Sequence, residues 1–290
     1  MADENSIYSY TPSFPLAIVV AILYAIPTLL LAYQTLIKYH SWFFLCVLVG
    51  SMFEVAGYGV RAASTRKTSD IPLYASSSTL IVLAPVFIAA GNYLLIGRLI
   101  RAVLPDSRHR IFFIPARLIT KIFVAFDILS FLVQCSGTSI AATASWVGSQ
   151  ADVGTNVLIG GLGLQVVTFV WFLSIVTRFW WCTQGRTGVK AGAPPQWMRV
   201  LQAICVSSCL ILIRSVYRVI EFALGIEGYP FTHEWIFYVF EALPMLPAIA
   251  VFCYVHPAKY LGSKGGLGKE AMIEESGVLM VEEPKHGHVE

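Results

Sequence analysis

The sequence predicts an all-α polytopic membrane protein: a bundle of seven transmembrane helices, N-terminus outside and C-terminus cytosolic. Three observations predict it. Of 290 residues, 57% are hydrophobic and 13% charged, where a soluble domain carries about a quarter charged; mean hydropathy is +0.70. The apolar residues fall into seven runs, each able to cover about 30 Å of hydrocarbon as a helix. Lys and Arg concentrate in alternate loops, which orients the bundle. This composition excludes a soluble enzyme, a disordered protein and a nucleic-acid-binding module. The net charge of +3 is too small to imply an anionic partner by itself.

The elements follow in order. Residues 1–13 form a polar segment with Asp3 and Glu4 and no Lys or Arg, unlike the basic start of a cleavable signal peptide; they are expected outside. The apolar runs are Phe14–Leu36, Trp42–Val60, Thr79–Leu99, Leu118–Ala142, Asn156–Phe179, Val200–Leu224 and Trp235–Tyr254. They are continuous, which fits helices and not the alternating ten-residue segments of a barrel. The first loop carries Lys38, the third Arg101, Arg108, Arg110 and Arg117, and the fifth Arg178, Arg186, Lys190 and Arg199. The fourth and sixth loops carry none; the second, with Arg66 and Lys67, is the exception. The transmembrane domain is thus expected over residues 14–260. Residues 261–290, Gly-rich and then acidic, are expected to be a flexible cytosolic tail, with Val278–Val281 as a short apolar patch.

The six cysteines, Cys46, Cys135, Cys182, Cys205, Cys209 and Cys253, fall in spans or at a cytosolic end, so no extracellular disulfide is expected. Cys205 and Cys209 lie one turn apart, but two thiols do not complete a tetrahedral metal site. The six histidines lie at span edges, in loops or in the tail, and no sequon for N-glycosylation is present. No metal and no cofactor are expected. The tail stretch GSKGGLGKE resembles a phosphate-binding loop superficially, but its glycine spacing is wrong and Glu270 stands where Ser or Thr is needed. Nothing in the sequence sets an oligomeric state.

The informative residues are ionisable groups inside apolar runs. A charge at the bilayer centre costs about 2.5–3.5 kcal/mol on insertion scales, so several must pair or face a wet cavity. Glu54 and Arg61 share a face of the second span at i, i+7. Arg214, Arg218 and Glu221 share a face of the sixth at i, i+4 and i+7. Glu241 enters with the seventh. Helix rise puts these six in the outer half, which predicts a polar cluster drawn from three spans. Asp127 and Gln134 share a face of the fourth span nearer the middle, where Gln165 of the fifth and Asn92 of the third could join them. The cluster is read as a pocket for a polar head group; the alternative is salt bridges that only fix helix packing. Pro85 is expected to interrupt the third span, and Pro244 and Pro247 the seventh. Gly160, Gly161 and Gly163 are expected to admit a close neighbour.

At these residues the sequence resembles the fungal RTA-like proteins, also called the lipid-translocating exporter family. The matching stretches are Tyr10–Ser13 (YTPS), Glu54–Arg61 (EVAGYGVR), Leu83–Tyr93 (LAPVFIAAGNY) and Phe123–Gln134 (FVAFDILSFLVQ) with Gly137. They continue through Gly161–Gln165 (GLGLQ), Arg214–Gly225 (RSVYRVIEFALG), His233–Met245 (HEWIFYVFEALPM) and His256-Pro257. Two positions depart: Glu241 stands where the family commonly has Asp, and Ala258 where Gly is usual. The resemblance implies seven spans and movement of lipids or other amphipathic compounds, with members that export sphingoid bases, carry protoporphyrin or confer resistance to toxic amphiphiles.

The expected function is therefore a translocator or exporter of amphipathic small molecules (sphingoid-base-like, sterol-like or toxic), not an enzyme, in the plasma membrane of a fungus. Its partners are membrane lipids or the amphipathic substrate, with no nucleic acid. Glu54, Glu221 and Glu241 would hold an amine, Arg61, Arg214 and Arg218 an anionic group, and Asp127 would carry a proton. The substrate-binding set is Glu54, Arg61, Asp127, Gln134, Gln165, Arg214, Arg218, Glu221 and Glu241. Two alternatives stay open. One is a seven-helix receptor, for which His256-Pro-Ala-Lys-Tyr260 is an imperfect ending motif. The other is an intramembrane enzyme using Asp127, Glu54 or Glu241 as proton donor on an isoprenoid. His233 and His256, about 35 Å apart by helix rise, cannot share one haem iron; a one-histidine site stays open.

Overall fold

The computed structural model describes residues 12–67, 70–104, 110–111, 114–144, 146, 148–184, 189, 193–194, 196–225 and 228–261. The expectations for residues 1–11 and 262–290, including Val278–Val281, lie outside them. Seven helices are long and apolar enough to cross a membrane: Phe14–Lys38, Trp42–Arg66, Ile71–Val103, Leu118–Thr143, Ser149–Thr183, Trp197–Ala223 and Glu234–Tyr260. The chain is an integral membrane protein with an all-helical spanning domain. Among the described residues the β structure is one antiparallel pair, Arg110–Ile111 with Ile114–Pro115, between the third and fourth spans.

Several spans outrun their apolar cores. The third starts at Ile71, eight residues before the expected Thr79. Asp70 caps it by accepting the Leu73 amide, and Pro72 sits in its first turn. The polar run Tyr74–Thr79 stays helical because its hydroxyls turn back onto the helix: Ser76 donates to the Pro72 carbonyl, Ser77 to Tyr74 and Thr79 to Ala75, at 2.7–2.8 Å. The second span extends past Val60 to Arg66, so Arg61 is inside the helix. The fifth begins at Ser149 with Asp152 in its first turn.

The prolines follow expectation at Pro244, but not at Pro85 or at Pro247, which lies inside the helix Leu243–Tyr254. The third helix runs unbroken through Pro85. The seventh span is interrupted, as Glu234–Phe237, a wide π turn Tyr238–Ala242, then Leu243–Tyr254 with Pro244 in its first turn. A proline has no amide to give its i−4 carbonyl, and here the helix slips to an i−5 bond, the Leu243 amide reaching the Tyr238 carbonyl. The first span also ends in a π stretch, Tyr33–Lys38.

The second and third spans pack along their length, and so do the fourth and fifth. The first lies on the second and seventh; the sixth touches the third, fifth and seventh. The Glu234 carboxylate accepts the Ser13 amide at 3.0 Å through both oxygens, tying the start of the first span to that of the seventh. Tyr93, Phe123, Phe169 and Phe172 form an aromatic knot across the third, fourth and fifth spans, with centroids 4.6–6.1 Å apart. Outward side chains such as Leu29, Ile37 and Val167 are large, apolar and exposed, the surface a hydrocarbon solvent requires.

Glycines set the fourth-to-fifth contact, and of those expected only Gly161 takes part. A Cβ on Gly160 or Gly163 meets nothing within 4 Å. A Cβ on Gly161 would lie 3.0–3.1 Å from Gln134 and from the Ser130 carbonyl. The closest approach is Gly137 against Gly154, where a Cβ on Gly137 would sit 2.5 Å from the Leu158 amide nitrogen and 2.7 Å from the Gly154 carbonyl oxygen. Backbone cannot yield as a side chain can. Gly137→Leu is expected to cost about 1–3 kcal/mol, read as a lower thermal unfolding midpoint in detergent, while Gly160→Ala stays within about 0.5 kcal/mol.

Candidate functional site

The sixth and seventh spans, held against the third, bring most of the predicted charges together. Arg214 is 5% exposed and Glu241 1%. One Arg214 amino group donates to Glu241 Oε1 at 2.8 Å and to the Ile81 carbonyl at 2.8 Å. Ile81 lies four residues before Pro85, so its carbonyl is the one the proline leaves without a helical donor. The π turn that carries Glu241 aims it at the sixth span, and Tyr24 of the first span donates its hydroxyl to the next carbonyl, Ala242. Four spans thus converge on one buried ion pair.

Arg218 continues the cluster. It donates to Glu221 Oε2 at 3.3 Å and reaches the second oxygen of Glu241 at 3.5 Å. Its side chain is 18% exposed, against 6% for Arg214. Tyr217 donates to Glu221 Oε1 at 3.3 Å and stacks on Phe240. The Arg61 guanidinium lies 4.0 Å over the Phe237 ring, a desolvated cation–π contact.

Glu54 is 1% exposed, and neither carboxylate oxygen has a hydrogen-bond partner among the described residues. Arg214 and Glu241 act on it electrostatically. Beside it are Tyr24 and Tyr58, stacked at 5.3 Å. The Tyr58 hydroxyl, one helical turn after Glu54, also lacks a partner.

Gln134 donates to Gln165 at 2.9 Å between the fourth and fifth spans. Both line a narrow cleft with Val82, Leu162, Arg214, Ser215 and Arg218, of about 20 Å³. That is room for a water, not for a head group. Asp127 and Asn92 do not join this pair. Asn92 donates to Ser207 and Ser208 of the sixth span at 3.1 and 3.2 Å, because two small hydroxyls face it there. Asp127 faces the Tyr93 hydroxyl at the aromatic knot, about 10 Å further along the fourth span by helix rise.

Sequence reasoning missed the tyrosines and the freed carbonyl. Each had a signal: Tyr58 and Tyr217 stand four residues from Glu54 and Glu221, and Ile81 stands four before Pro85. The one-histidine haem site also loses its basis at His256. Its Nδ1 accepts the Ala258 amide at 3.3 Å, its Nε2 meets the Thr35 hydroxyl at 3.3 Å, and its ring is packed on Tyr39 and Phe44.

Removing one partner of a buried ion pair leaves an uncompensated charge, at a cost of about 3–5 kcal/mol. Glu241→Ala is expected to destabilise by that amount, measured by unfolding in detergent. Glu241→Asp retains the charge and is expected to lose less than half as much.

A family profile described as RTA1 like protein matches residues 47–264. Protoporphyrin uptake protein 1 of Saccharomyces cerevisiae is 30% identical over 85% of this chain and 90% of its own. The probable lipid transporter atnI of Emericella nidulans is 27% identical over 89% of this chain and 69% of its own. The sphingoid long-chain base transporter RSB1 of Saccharomyces cerevisiae is 26% identical over 88% of this chain and 75% of its own. No solved structure matches. The motifs of the second to seventh spans fall within the profile match, and the chain belongs to the RTA1-like family.

Proposed function

We propose that this protein is a membrane translocator of amphipathic small molecules, holding a polar head group at the charged cluster while the apolar tail stays in lipid. The observation that carries this reading is Arg218, which contacts Glu221 and Glu241 and also lines the cleft between the fourth, fifth and sixth spans. A cluster built only to fix packing has no need to open onto a cleft. The relatives named as a lipid transporter, a sphingoid base transporter and a protoporphyrin uptake protein support transport over catalysis.

On this reading Glu54, with both oxygens unpartnered, receives an amine, and Arg218 receives a phosphate or carboxylate. Arg61, Gln134, Gln165, Arg214, Glu221 and Glu241 complete the binding set; Asp127, at the aromatic knot and not on the cleft lining, is left out of it. At about 20 Å³ the cleft is too small for a head group, so loading requires the fourth and fifth spans to part from the third and sixth. Export with resistance to sphingoid-base-like, sterol-like or toxic amphiphiles, a plasma-membrane location and an outside N-terminus complete the proposal. The loop charges support the orientation.

The test is transport of a fluorescent long-chain amine by purified protein in vesicles. Glu54→Ala and Arg218→Ala are expected to reduce its rate at least about tenfold, the effect of losing one charge-assisted contact of 1.4 kcal/mol or more. Unchanged rates at equal insertion overturn the site. A protease-sensitive tag is expected to be cleaved from outside intact cells at the N-terminus and protected at the C-terminus.

A further inference from the structure

A second buried acid lies apart from the charged cluster. Asp127 is 1% exposed on the fourth span, and neither oxygen meets hydrogen-bond geometry with a described residue. The group opposite it is the Tyr93 hydroxyl of the third span, itself buried and likewise without a bond of good geometry. Around them are Phe123, Phe169 and Phe172. The elements packed here supply no counter-charge. The third span has no Lys, Arg, His, Asp or Glu between Asp70 and Arg98, and the fifth has none between Asp152 and Arg178. On the fourth span the nearest is Lys121, exposed near its start. The sixth has none between Arg199 and Arg214, and Arg214 lines the cleft beside Gln134.

A packing role does not account for this. An acid kept for structure is paired, as Glu241 is with two arginines. A proton on one Asp127 oxygen removes the charge and supplies an O–H that can donate to Tyr93. Among the described residues no group of three or more His, Cys, Asp or Glu that could hold a metal ion is present. Helical spacing lines polar side chains up between the site and the cleft. Ser130 and Gln134 follow Asp127 at i+3 and i+7, on one face of the fourth helix. Ser130 is fully buried with its hydroxyl unpartnered, and Gln134 opens on the cleft.

We propose that Asp127 is a proton-binding site, loaded and emptied from the cleft along Ser130 and Gln134, that couples a proton gradient to movement of the amphiphile. The coupling rests on the translocator reading above; the proton site does not. The proton moves from water at the cleft onto the carboxylate and returns to water, with no other bond made or broken. The site lies where the fourth span crosses the third at the aromatic knot. Its charge state therefore bears on the contact between the third and fourth spans.

Infrared difference spectroscopy on the purified full-length protein in vesicles, without amphiphile, tests the site. Hydrogen–deuterium exchange is expected to shift a carboxylic acid C=O band that is lost in Asp127→Asn. In Tyr93→Phe, which keeps the acid, the same band is expected at higher frequency. A spectrum unchanged in both variants overturns the proton site, whatever the protein transports. The coupling is read with the long-chain amine under an imposed pH gradient. Asp127→Asn is expected to lose gradient-driven accumulation and to keep exchange at equal pH. Accumulation at the wild-type level overturns the coupling. If the wild type moves no amine while the band behaves as expected, the translocator reading and the coupling fall and the proton site stands.

Discussion

Glu241 is 1% exposed among apolar helices, where a carboxylate without a counter-charge would cost several kcal/mol. Its 2.8 Å bond to Arg214 resolves that cost, and in doing so dictates how the sixth, seventh and third spans meet. Arg214 has the same problem in reverse, and its amino group is satisfied twice, by Glu241 and by the Ile81 carbonyl. Neither residue can shift by a turn without stranding the other. In a solvent as apolar as the helix surfaces themselves, association gains little from hydrophobic burial, so a directional contact of this kind sets register where packing alone leaves it loose.

The backbone irregularities belong to the same constraint. Pro85 leaves its helix intact and removes one donor, and the carbonyl so freed is the one that Arg214 takes. Pro244 displaces hydrogen bonding into a π turn, and Glu241 is in that turn. Tyr24 then satisfies the Ala242 carbonyl from the first span. Non-helical backbone is tolerated at membrane depth only where other groups satisfy it. The carbonyl freed at Pro85 is matched by a side chain from a neighbouring span, and the π turn is held by two more, Arg214 on Glu241 and Tyr24 on Ala242.

How much of this was legible differs by kind of interaction. The seven spans and the membership of Arg214, Arg218, Glu221 and Glu241 in one cluster follow from hydropathy and helical spacing, because both are one-dimensional signals. Span ends were read short where serines and threonines bond their own backbone, as at Ser76, Ser77 and Thr79, since a polar composition there hides a helical geometry. The glycine contact is legible only in part: of Gly160, Gly161 and Gly163, Gly161 meets the fourth span, the other two face open space, and Gly137 with Gly154 makes the closest approach. Which face of a helix meets a neighbour is a property of two helices in register. For the same reason Asn92 was grouped with Gln134 by depth, while its partners Ser207 and Ser208 are on another helix.

The two arginines of the sixth span are not equivalent, and the difference bears on how one cluster could serve chemically varied head groups. Arg214 holds two acceptors at 2.8 Å, and displacing it would dismantle the register described above. Arg218 divides itself between Glu221 and Glu241 at 3.3 and 3.5 Å and is the more exposed of the two. Its contacts are the longer and the wetter, so they are the cheaper to exchange. An anionic group entering the cleft can take Arg218 while Arg214 keeps Glu241 compensated. The same exchange releases Glu221 from Arg218. On the proposed function, a site with one fixed ion pair and one exchangeable arginine accepts anionic, cationic and zwitterionic amphiphiles without losing the contact that holds its helices in place.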